Sequence, residues 1–194
     1  AYAPFANAGH GVQPRLIRSI EGPGGVTLWT QDIQKMQVMD PRDAYQITSM
    51  LRSAVDRGTG FVVREMGIDG PVAGKTGTTN NGADVWFVGY TPTLVAGFWF
   101  GYDTPRPISG NAAGGRLAAP AWAEFYANGW RERATEGAWA PPAGMVALEI
   151  DAQTGELAGE WCPVTQREYF KPGTEPMETC QEHHGWFIGD GWGE

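Results

Sequence analysis

The chain has 194 residues, of which 42% are hydrophobic, and a formal net charge of −8. This composition is typical of a globular protein, and the acidic balance argues against nucleic acids and anionic membrane surfaces as partners. No apolar run approaches the length of about 18 residues that a membrane span needs, and no basic-then-apolar signal segment is present. The sequence opens AYAPFANAGHG without an initiator Met, as if inside a helix. We therefore expect a part of a longer protein.

The first predicted elements are short. Residues 1–9 are typical of the end of a helix that Gly9 closes. Residues 14–21 alternate in polarity, and a Gly/Pro-rich turn separates them from residues 26–30. Two short apolar runs around such a turn predict a β-hairpin.

The clearest helix signal begins at Asp40. An Asp N-cap followed by Pro41 at the first helical position is a strong start signal. Apolar residues then repeat at helical spacing as far as Arg57, and Gly58 ends the pattern. The sequence therefore predicts an amphipathic helix from Pro41 to Arg57.

Three strand candidates follow in quick succession, at residues 72–78, 83–91 and 93–103. The connections are short, so we expect neighbouring strands to be antiparallel. After a Gly-rich loop, residues 117–134 form an amphipathic helical pattern with Pro120 near its first turn.

The composition changes near residues 138–144, where two consecutive prolines stiffen a linker. We therefore predict a first domain over residues 1–138 and an acidic, Pro/Gly-rich tail over residues 139–194. Within the tail, residues 145–159 predict a hairpin with an Asp/Thr-Gly turn, and the remainder is expected to be loop.

Cys162 and Cys180 are the only cysteines, and both lie in this loop-rich tail. Two and only two cysteines in such a segment favour a disulfide, and hence an oxidising compartment. A metal site is an alternative because His183 and His184 follow closely, but the spacing matches no zinc pattern well. Two unpaired thiols are the remaining possibility. We predict the disulfide and no metal.

The segment Gly74-Lys75-Thr76 raises the possibility of a phosphate-binding loop. That motif, G-x-x-x-x-G-K-[ST], requires a glycine where this chain has Asp69, and a helix directly after the Lys-Thr pair. Here the chain continues GTTNNG, which cannot start a helix, so no helix N-terminus would be present to hold phosphates. We reject this interpretation.

The alternative is Lys-Thr-Gly on a strand that lines an acyl-transfer cleft. The Lys75 ammonium stabilises negative charge near a nucleophile and can orient a proton. The Thr76 hydroxyl is a small partner for a substrate carboxylate, and Gly77 leaves room for a substrate backbone along the strand edge. The backbone N–H of Thr78 is then placed to stabilise an oxyanion.

The residues on both sides of the Lys-Thr-Gly segment resemble a known protein family. The stretch GKTGTTNNGADVWFVGYTP resembles the third motif and the following strand in the transpeptidase domain of class A, bifunctional penicillin-binding proteins. Further stretches resemble the same family in the same order along the chain: AYAPFANAGHGVQPRLI, MLRSAVDRGTG, GGRLAAPAWAEF, LEIDAQTGELAGEWCP and FKPGTEPMETC. The last two resemble a tail that many members carry, including the two cysteines.

The resemblance implies an α+β fold of the serine β-lactamase and penicillin-binding transpeptidase type. An antiparallel sheet is flanked by helices, the fold is incomplete in this chain, and a small β-rich tail follows. It also implies a D,D-transpeptidase that cross-links peptidoglycan stem peptides ending in D-Ala-D-Ala and is acylated by β-lactams, with no cofactor. The location implied is the periplasmic, extracytoplasmic face of the inner membrane.

The resemblance assigns roles within the motif strand. Lys75 and Thr78 are expected to be catalytic, the latter through its N–H in the oxyanion hole. Thr76, Gly77, Thr78 and Thr79 are expected to contact substrate, with Thr76 and Thr78 holding the D-Ala or β-lactam carboxylate. Asp84 and Trp86, on the next strand, are expected to be structural.

The family also needs a nucleophilic serine in S-x-x-K and a second motif, S-x-N, both before the Lys-Thr-Gly strand. None of the four serines begins S-x-x-K. Ser109 begins Ser-Gly-Asn but lies after the strand, in a Gly-rich loop, so we interpret this match as coincidental. We expect the upstream half of the same domain to be a partner, and exposed apolar surface, a dimer or a swapped oligomer in its absence.

Two other functions remain open. The chain could belong to another serine acyl enzyme that uses Lys-Thr-Gly, a β-lactamase or a D,D-carboxypeptidase, although the cysteine-bearing tail argues against this. It could instead be a non-catalytic binding or assembly module of the cell envelope.

Overall fold

The computed structural model describes residues 1–132 and 137–183 and divides into two compact units, Ala1–Ala140 and Pro141–Glu194. The described α-helices are α1 (Ala3–Ala6), α2 (Pro41–Asp56), α3 (Val62–Glu65) and α4 (Ala118–Gly129). The described strands are β1 (His10–Gly11), β2 (Ser19–Glu21), β3 (Thr27–Thr30), β4 (Met36–Gln37), β5 (Ala73–Thr78), β6 (Val85–Tyr90), β7 (Val95–Phe100), β8 (Val146–Asp151) and β9 (Thr165–Phe170). None of these helices has the length and apolar character that crossing a membrane requires.

The N-terminal elements are small and follow the predicted order. After α1, the chain turns at Gly9, whose φ of 84° suits a residue without a side chain. Strands β2 and β3 form the predicted antiparallel hairpin, in a shorter form than the sequence pattern indicated. A second antiparallel pair, between β1 and β4, was not predicted because each strand has only two residues.

Helix α2 begins where the sequence predicts. The Asp40 carboxylate accepts a hydrogen bond from the Arg42 backbone N–H at 2.8 Å, which satisfies one of the free N–H groups of the first turn. The helix ends at Asp56, one residue before the predicted end, and its buried residues are Ala44, Thr48 and Val55. Of the apolar residues in the predicted pattern, Ala44 and Val55 are buried, whereas Met50 is exposed and the buried Thr48 was not part of the pattern.

The centre of the first unit is a three-stranded sheet with the order β5-β6-β7, and both pairs are antiparallel. The predicted antiparallel arrangement is confirmed. In the β5–β6 register, Lys75 lies opposite Val88, Thr76 opposite Phe87 and Gly77 opposite Trp86. Because side chains alternate along a strand, this register decides which motif residues share a sheet face.

Helix α4 packs on β6 and β7 and supplies Trp122, the largest fully buried side chain among the described residues. Its ring meets Phe87 edge-to-face at 5.8 Å and stacks on Tyr126 at 5.2 Å. The rings fit against the sheet because two strand positions are glycine. A Cβ on Gly74 would lie 2.5 Å from Phe87, and one on Gly89 would lie 2.5 Å from Trp122. The predicted helix is confirmed from Ala118 to Gly129; residues 130–132 lie beyond its end, and residues 133–134 of the prediction lie outside the described residues.

The opposite side of the sheet is partly open. Trp86 and Trp99 face each other across β6 and β7 with ring centroids 6.2 Å apart, and they are 46% and 43% exposed. Further exposed large apolar residues occur in residues 12–38, among them Leu16, Leu28 and Ile33. The first unit therefore has exposed apolar surface, as expected from the sequence.

The tail contains more strand than the sequence predicted. Around the predicted turn, Leu157 bridges Ile150 in the antiparallel sense, the Asp151 N–H donates to the Glu156 carbonyl at 2.8 Å and the Ala158 N–H to the Glu149 carbonyl at 3.0 Å, so a short hairpin forms there. The prediction that the rest of the tail is loop was wrong, because strand β8 pairs along its whole length with β9. The polar sequence of β9, TQREYF, lacks the apolar run that marks a strand, so the pattern gave no signal for it.

We expect Gly89→Ala to destabilise the first unit by about 1–3 kcal/mol, because the new methyl group would press on buried Trp122 and Phe87. Gly97→Ala is the matched control in the same sheet, since its Cβ would meet only Val88 at 3.7 Å. Urea unfolding followed by tryptophan fluorescence measures both. Equal stability of the two variants would contradict the packing described here.

Candidate functional site

The Lys-Thr-Gly segment lies on the open half of β5. This strand is at one edge of the sheet, and among the described residues no other strand pairs with its outer side. Ala73 and Gly74 are buried, whereas Lys75 and Thr78 are exposed and the two residues between them are half-buried. An edge strand with unpaired backbone N–H and C=O groups can accept an extended peptide as an additional strand.

The two motif threonines share the sheet face on which Phe87 lies. The Thr78 hydroxyl oxygen accepts a hydrogen bond from the backbone N–H of Gly114 at 3.1 Å. The Thr76 hydroxyl oxygen lies 2.6 Å from that of Thr59, so one of these hydroxyls donates to the other. The Thr78 oxygen accepts a hydrogen bond, so this hydroxyl keeps its own proton to donate, and the Thr76 hydroxyl does so when Thr59 is the donor of their shared bond. With both protons free, the arrangement suits an anionic acceptor such as a carboxylate.

Lys75 and Gly77 alternate with the threonines and so occupy the opposite face, with Val88 and Trp86 as cross-strand neighbours. The Lys75 ammonium donates a hydrogen bond to the Thr76 carbonyl oxygen at 2.7 Å, and the side chain is exposed. A Cβ on Gly77 would lie 3.3 Å from Cβ of Trp86, so this position is tight for any side chain. The motif thus places a cation beside a stretch of accessible strand backbone.

Thr79 belongs to the turn that follows the motif strand. Its hydroxyl oxygen accepts a hydrogen bond from the Asp84 N–H at 2.8 Å, and its own N–H donates to the Asp84 carbonyl at 3.0 Å. Asp84 also accepts a hydrogen bond from the Trp99 indole N–H at 3.0 Å. These contacts give Asp84 the structural role expected from the sequence, and the substrate contact of Thr79 stays a prediction.

The loop after β7 packs against the motif strand, and the sequence did not predict this contact. A Cβ on Gly114 would collide with the Trp86 carbonyl oxygen and approach the Gly77 carbonyl oxygen to 2.8 Å. A Cβ on Gly115 would collide with the Thr59 carbonyl oxygen. The Gly-Gly pair in GGRL was the available signal, because paired glycines mark a close backbone approach. Ser109, in the same loop, uses its carbonyl oxygen to accept from the Ala112 N–H.

In the second unit, Cys162 and Cys180 are free thiols in the structure. Their Sγ atoms lie close to side-chain donors of Asp151 and His183, and all four donor atoms are within 4.8 Å of one another. These are the residues that could hold a metal ion in the described ranges 1–132 and 137–183. His184, named above as a further metal candidate, lies outside the described residues. The disulfide stays a prediction.

The fold, the edge strand and the Lys-Thr-Gly segment define a transpeptidase domain, and the family comparison agrees with this. The family model "Penicillin binding protein transpeptidase domain" matches residues 1–127. The chain belongs to this family. A second model, "Penicillin-binding protein 1A, C-terminal domain", matches residues 141–185.

Curated relatives share about a third of their aligned residues with this chain. Penicillin-binding protein 1A of Aquifex aeolicus is 34% identical over 94% of this chain and 24% of its own length. Penicillin-binding protein 2D of Bacillus subtilis is 33% identical, and the alignment covers 93% of this chain and 26% of that protein. Penicillin-binding protein 1A of Rickettsia conorii is 31% identical, and the alignment covers 81% of this chain and 22% of that protein. The chain thus spans about a quarter of the length of these relatives.

Solved structures agree with the fold. Penicillin-binding protein 1A from Haemophilus influenzae superposes with a TM-score of 0.80 at 25% identity, covering 92% of this chain and 32% of that one. Penicillin-binding protein PonA1 from Mycobacterium tuberculosis has a TM-score of 0.59 at 25% identity, covering 73% and 39%. Penicillin-binding protein A from M. tuberculosis, solved as an imipenem acyl-enzyme complex, has a TM-score of 0.50 at 22% identity, covering 65% and 29%.

We expect Gly114→Ala to destabilise the first unit by about 1–3 kcal/mol, because the added methyl group would force the loop away from Gly77. The hydrogen bond from the backbone N–H of residue 114 to the Thr78 hydroxyl would then be lost. Gly110→Ala, in the same loop, is the control, since nothing lies within 4 Å of its Cβ position. Thermal unfolding compares the two. A stable Gly114→Ala variant with an unchanged Thr78 amide resonance would show that the loop does not hold the motif strand.

Proposed function

We propose that this chain supplies one wall of the active site of a serine-type D,D-transpeptidase. Such an enzyme cross-links peptidoglycan stem peptides through an acyl-enzyme and is acylated by β-lactams at the same serine. The observation that carries the proposal is the Lys-Thr-Gly segment on the exposed half of an edge strand, in a chain whose residues 1–127 match the transpeptidase domain. Residues 1–138 provide this wall, and residues 139–194 are a tail appended to it.

The open side of β5 is suited to the extended D-Ala-D-Ala end of a stem peptide. The peptide pairs with the strand as an added β-strand, and Gly77 leaves its backbone unobstructed. The terminal carboxylate accepts hydrogen bonds from the hydroxyls of Thr76 and Thr78, whose oxygens have local partners in Thr59 and Gly114. A β-lactam presents a carboxylate to the same donors.

The chemistry needs stabilisation of a developing negative charge. When a serine oxygen attacks the carbonyl carbon of the penultimate D-Ala, the carbonyl oxygen becomes an oxyanion. The Thr78 N–H is assigned to one side of the oxyanion hole. The exposed Lys75 ammonium lowers the energy of negative charge beside the nucleophile and orients its proton.

Two acyl-transfer steps complete the reaction. Collapse of the first tetrahedral intermediate breaks the peptide bond and releases terminal D-Ala, whose amine takes a proton. The amine of a second stem peptide then attacks the acyl-serine ester, forms the cross-link and returns the serine to its free form. A β-lactam enters the first step with its ring amide, and the opened ring stays attached as an acyl-enzyme.

The nucleophile is assigned to a partner segment. No serine of this chain begins S-x-x-K. Of these serines, Ser53 accepts a hydrogen bond from Arg57, and Ser109 lies in a turn after the motif strand. We therefore assign the serine and its lysine to the upstream half of the same domain, on the extracytoplasmic side of the membrane. The exposed Trp86–Trp99 pair is part of the apolar surface available for contact with that half.

Labelling with a fluorescent penicillin, read by intact mass, tests the proposal. We expect no adduct on the 194-residue chain alone and one equivalent on the longer protein that includes the upstream half, because acyl transfer needs the serine. An adduct on the chain alone would place the nucleophile among its four serines. Peptidoglycan binding without an adduct on the longer protein would favour a non-catalytic envelope module, and rapid release of the opened penicillin would favour a β-lactamase or D,D-carboxypeptidase.

In the longer protein, Lys75→Ala is expected to slow penicillin acylation by a factor of about 10² to 10⁴, the usual range for loss of a group that orients a catalytic proton. Lys35→Ala is the matched control, since this lysine is exposed and belongs to neither the motif strand nor its neighbours. Stopped-flow acylation rates with a reporter β-lactam separate the two. Equal rates for Lys75→Ala and Lys35→Ala would remove Lys75 from the mechanism.

A further inference from the structure

We propose that the second unit binds one zinc ion through Asp151, Cys162, Cys180 and His183. These four residues, here called the tail cluster, lie within residues 141–185, which match the penicillin-binding protein 1A C-terminal domain. They come from separate parts of the unit: the end of β8, the loop after it and the segment after β9. The site is structural, and it is separate from the acyl-transfer chemistry proposed for the first unit.

The distances in the tail cluster fit one small cation. His183 Nδ1 lies 3.2 Å from Asp151 Oδ2 and 3.3 Å from Cys180 Sγ, and all four donor atoms are within 4.8 Å of one another. Tetrahedral zinc with bonds of about 2.0–2.3 Å places its ligand atoms roughly 3.3–3.8 Å apart. The donors are therefore close to the positions that a shared zinc ion would impose.

Asp151 supplies an independent observation. Asp151 is 0% exposed, and its Oδ1 accepts hydrogen bonds from the N–H groups of Gln153 and Thr154 at 2.9 and 2.8 Å. Its Oδ2 is buried and has no hydrogen-bond donor in suitable geometry in the part of the chain that the structure describes. This oxygen lies 3.2 Å from His183 Nδ1 and belongs to the tail cluster, whose donor atoms are all within 4.8 Å of one another. A buried carboxylate oxygen needs a positive partner, and a bound cation would provide it.

Backbone contacts bring the donors of the tail cluster together. Leu157 bridges Ile150 on one side and Thr179 on the other, which brings the segment of Asp151 next to the segment of Cys180. The Cys180 N–H donates to the Leu157 carbonyl at 2.9 Å. The Gly159 N–H donates to Cys162 Sγ at 3.2 Å, and N–H donors of this kind stabilise a thiolate ligand.

The second unit has little else to stabilise it. Among its described residues only Ile150, Asp151 and Cys180 are buried, and two of these three belong to the tail cluster. Units of this size with so small an apolar core usually depend on a metal or on disulfides for stability. Zinc coordination would provide folding free energy where hydrophobic burial does not.

The donor set selects the metal and separates this proposal from the predicted disulfide. Two thiolates with an imidazole and a carboxylate suit zinc, and four protein ligands leave no open position for chemistry. Binding requires no oxidant, because each thiol only loses a proton as its Zn–S bond forms. A disulfide would use the same two sulfur atoms and would leave His183, whose Nδ1 lies 3.2 Å from Asp151 Oδ2, as the partner of that oxygen.

Metal content of the 194-residue chain is the first test. Purified from cells supplied with Zn²⁺ and freed of loosely bound metal, the chain is expected to retain one zinc with both thiols reduced, as read by native mass spectrometry and elemental analysis. Exchange with Co²⁺ is expected to give thiolate-to-cobalt charge-transfer bands and the intense visible bands of a tetrahedral site. A metal-free chain whose mass is lower by two hydrogen atoms, or a cobalt spectrum without thiolate bands, overturns the proposal.

Variants assign the ligands. Asp151→Asn keeps an oxygen for the Gln153 and Thr154 N–H groups but removes the anionic ligand. We expect zinc affinity to fall more than about tenfold, because loss of a residue that only hydrogen-bonds to a ligand already lowers metal affinity by about 10- to 100-fold. The control is Glu149→Gln, two residues earlier on the same strand, whose carboxylate pairs with Arg167. Competition with a chromogenic chelator measures both. Equal affinities would overturn the assignment of Asp151.

His183→Ala is compared in the same assay with His10→Ala, which lies in the first unit. The first variant is expected to lose zinc affinity more than about tenfold and the second to keep it. Retention of full affinity in His183→Ala would overturn the four-ligand site. The readout is metal binding, so its result is independent of whether the protein reacts with penicillin.

Discussion

The contact between Trp122 and Gly89 is the constraint on which the first unit depends. The indole ring occupies the space that a side chain at position 89 would fill, and its N–H donates to the Gly89 carbonyl oxygen at 3.2 Å. This contact anchors α4 to β6, and β6 is paired residue by residue with β5. A shift of one residue in that pairing would turn every side chain of β5 to the other face. Packing far from the Lys-Thr-Gly segment therefore decides how the segment is presented.

The register separates two kinds of chemistry across one strand. The hydroxyls of Thr76 and Thr78 lie on one face, where they hydrogen-bond to the Thr59 hydroxyl and the Gly114 N–H, respectively. Lys75 lies on the other face. Between them the strand backbone is open along the sheet edge. A peptide pairing with that edge would meet two threonine hydroxyls and a cation within a few residues. This is why the four consecutive residues 75–78 can serve binding and charge stabilisation together in the proposed function.

The second unit has a different physical basis. The first unit is held by a cluster of buried aliphatic and aromatic side chains, whereas the described part of the second buries one aliphatic residue beside a carboxylate and a thiol. Polar groups take the place of a core there, and they converge through the pairing of β8 with β9 and the bridges of Leu157. Such an interior is stable only when its polar groups are satisfied.

The sequence by itself determined the elements whose signals are local: the Asp40 cap and helix α2, the three antiparallel strands, helix α4, and the Lys-Thr-Gly segment with its family resemblance. These follow from caps, periodicity and turn residues within a few positions of each other. Tertiary structure alone decided the contacts of Thr59 and Gly114, the pairing of β8 with β9, and the convergence of Asp151 on the cysteines. Each joins residues that are distant in sequence, and backbone pairing and burial select such partners without leaving a periodic pattern in either segment.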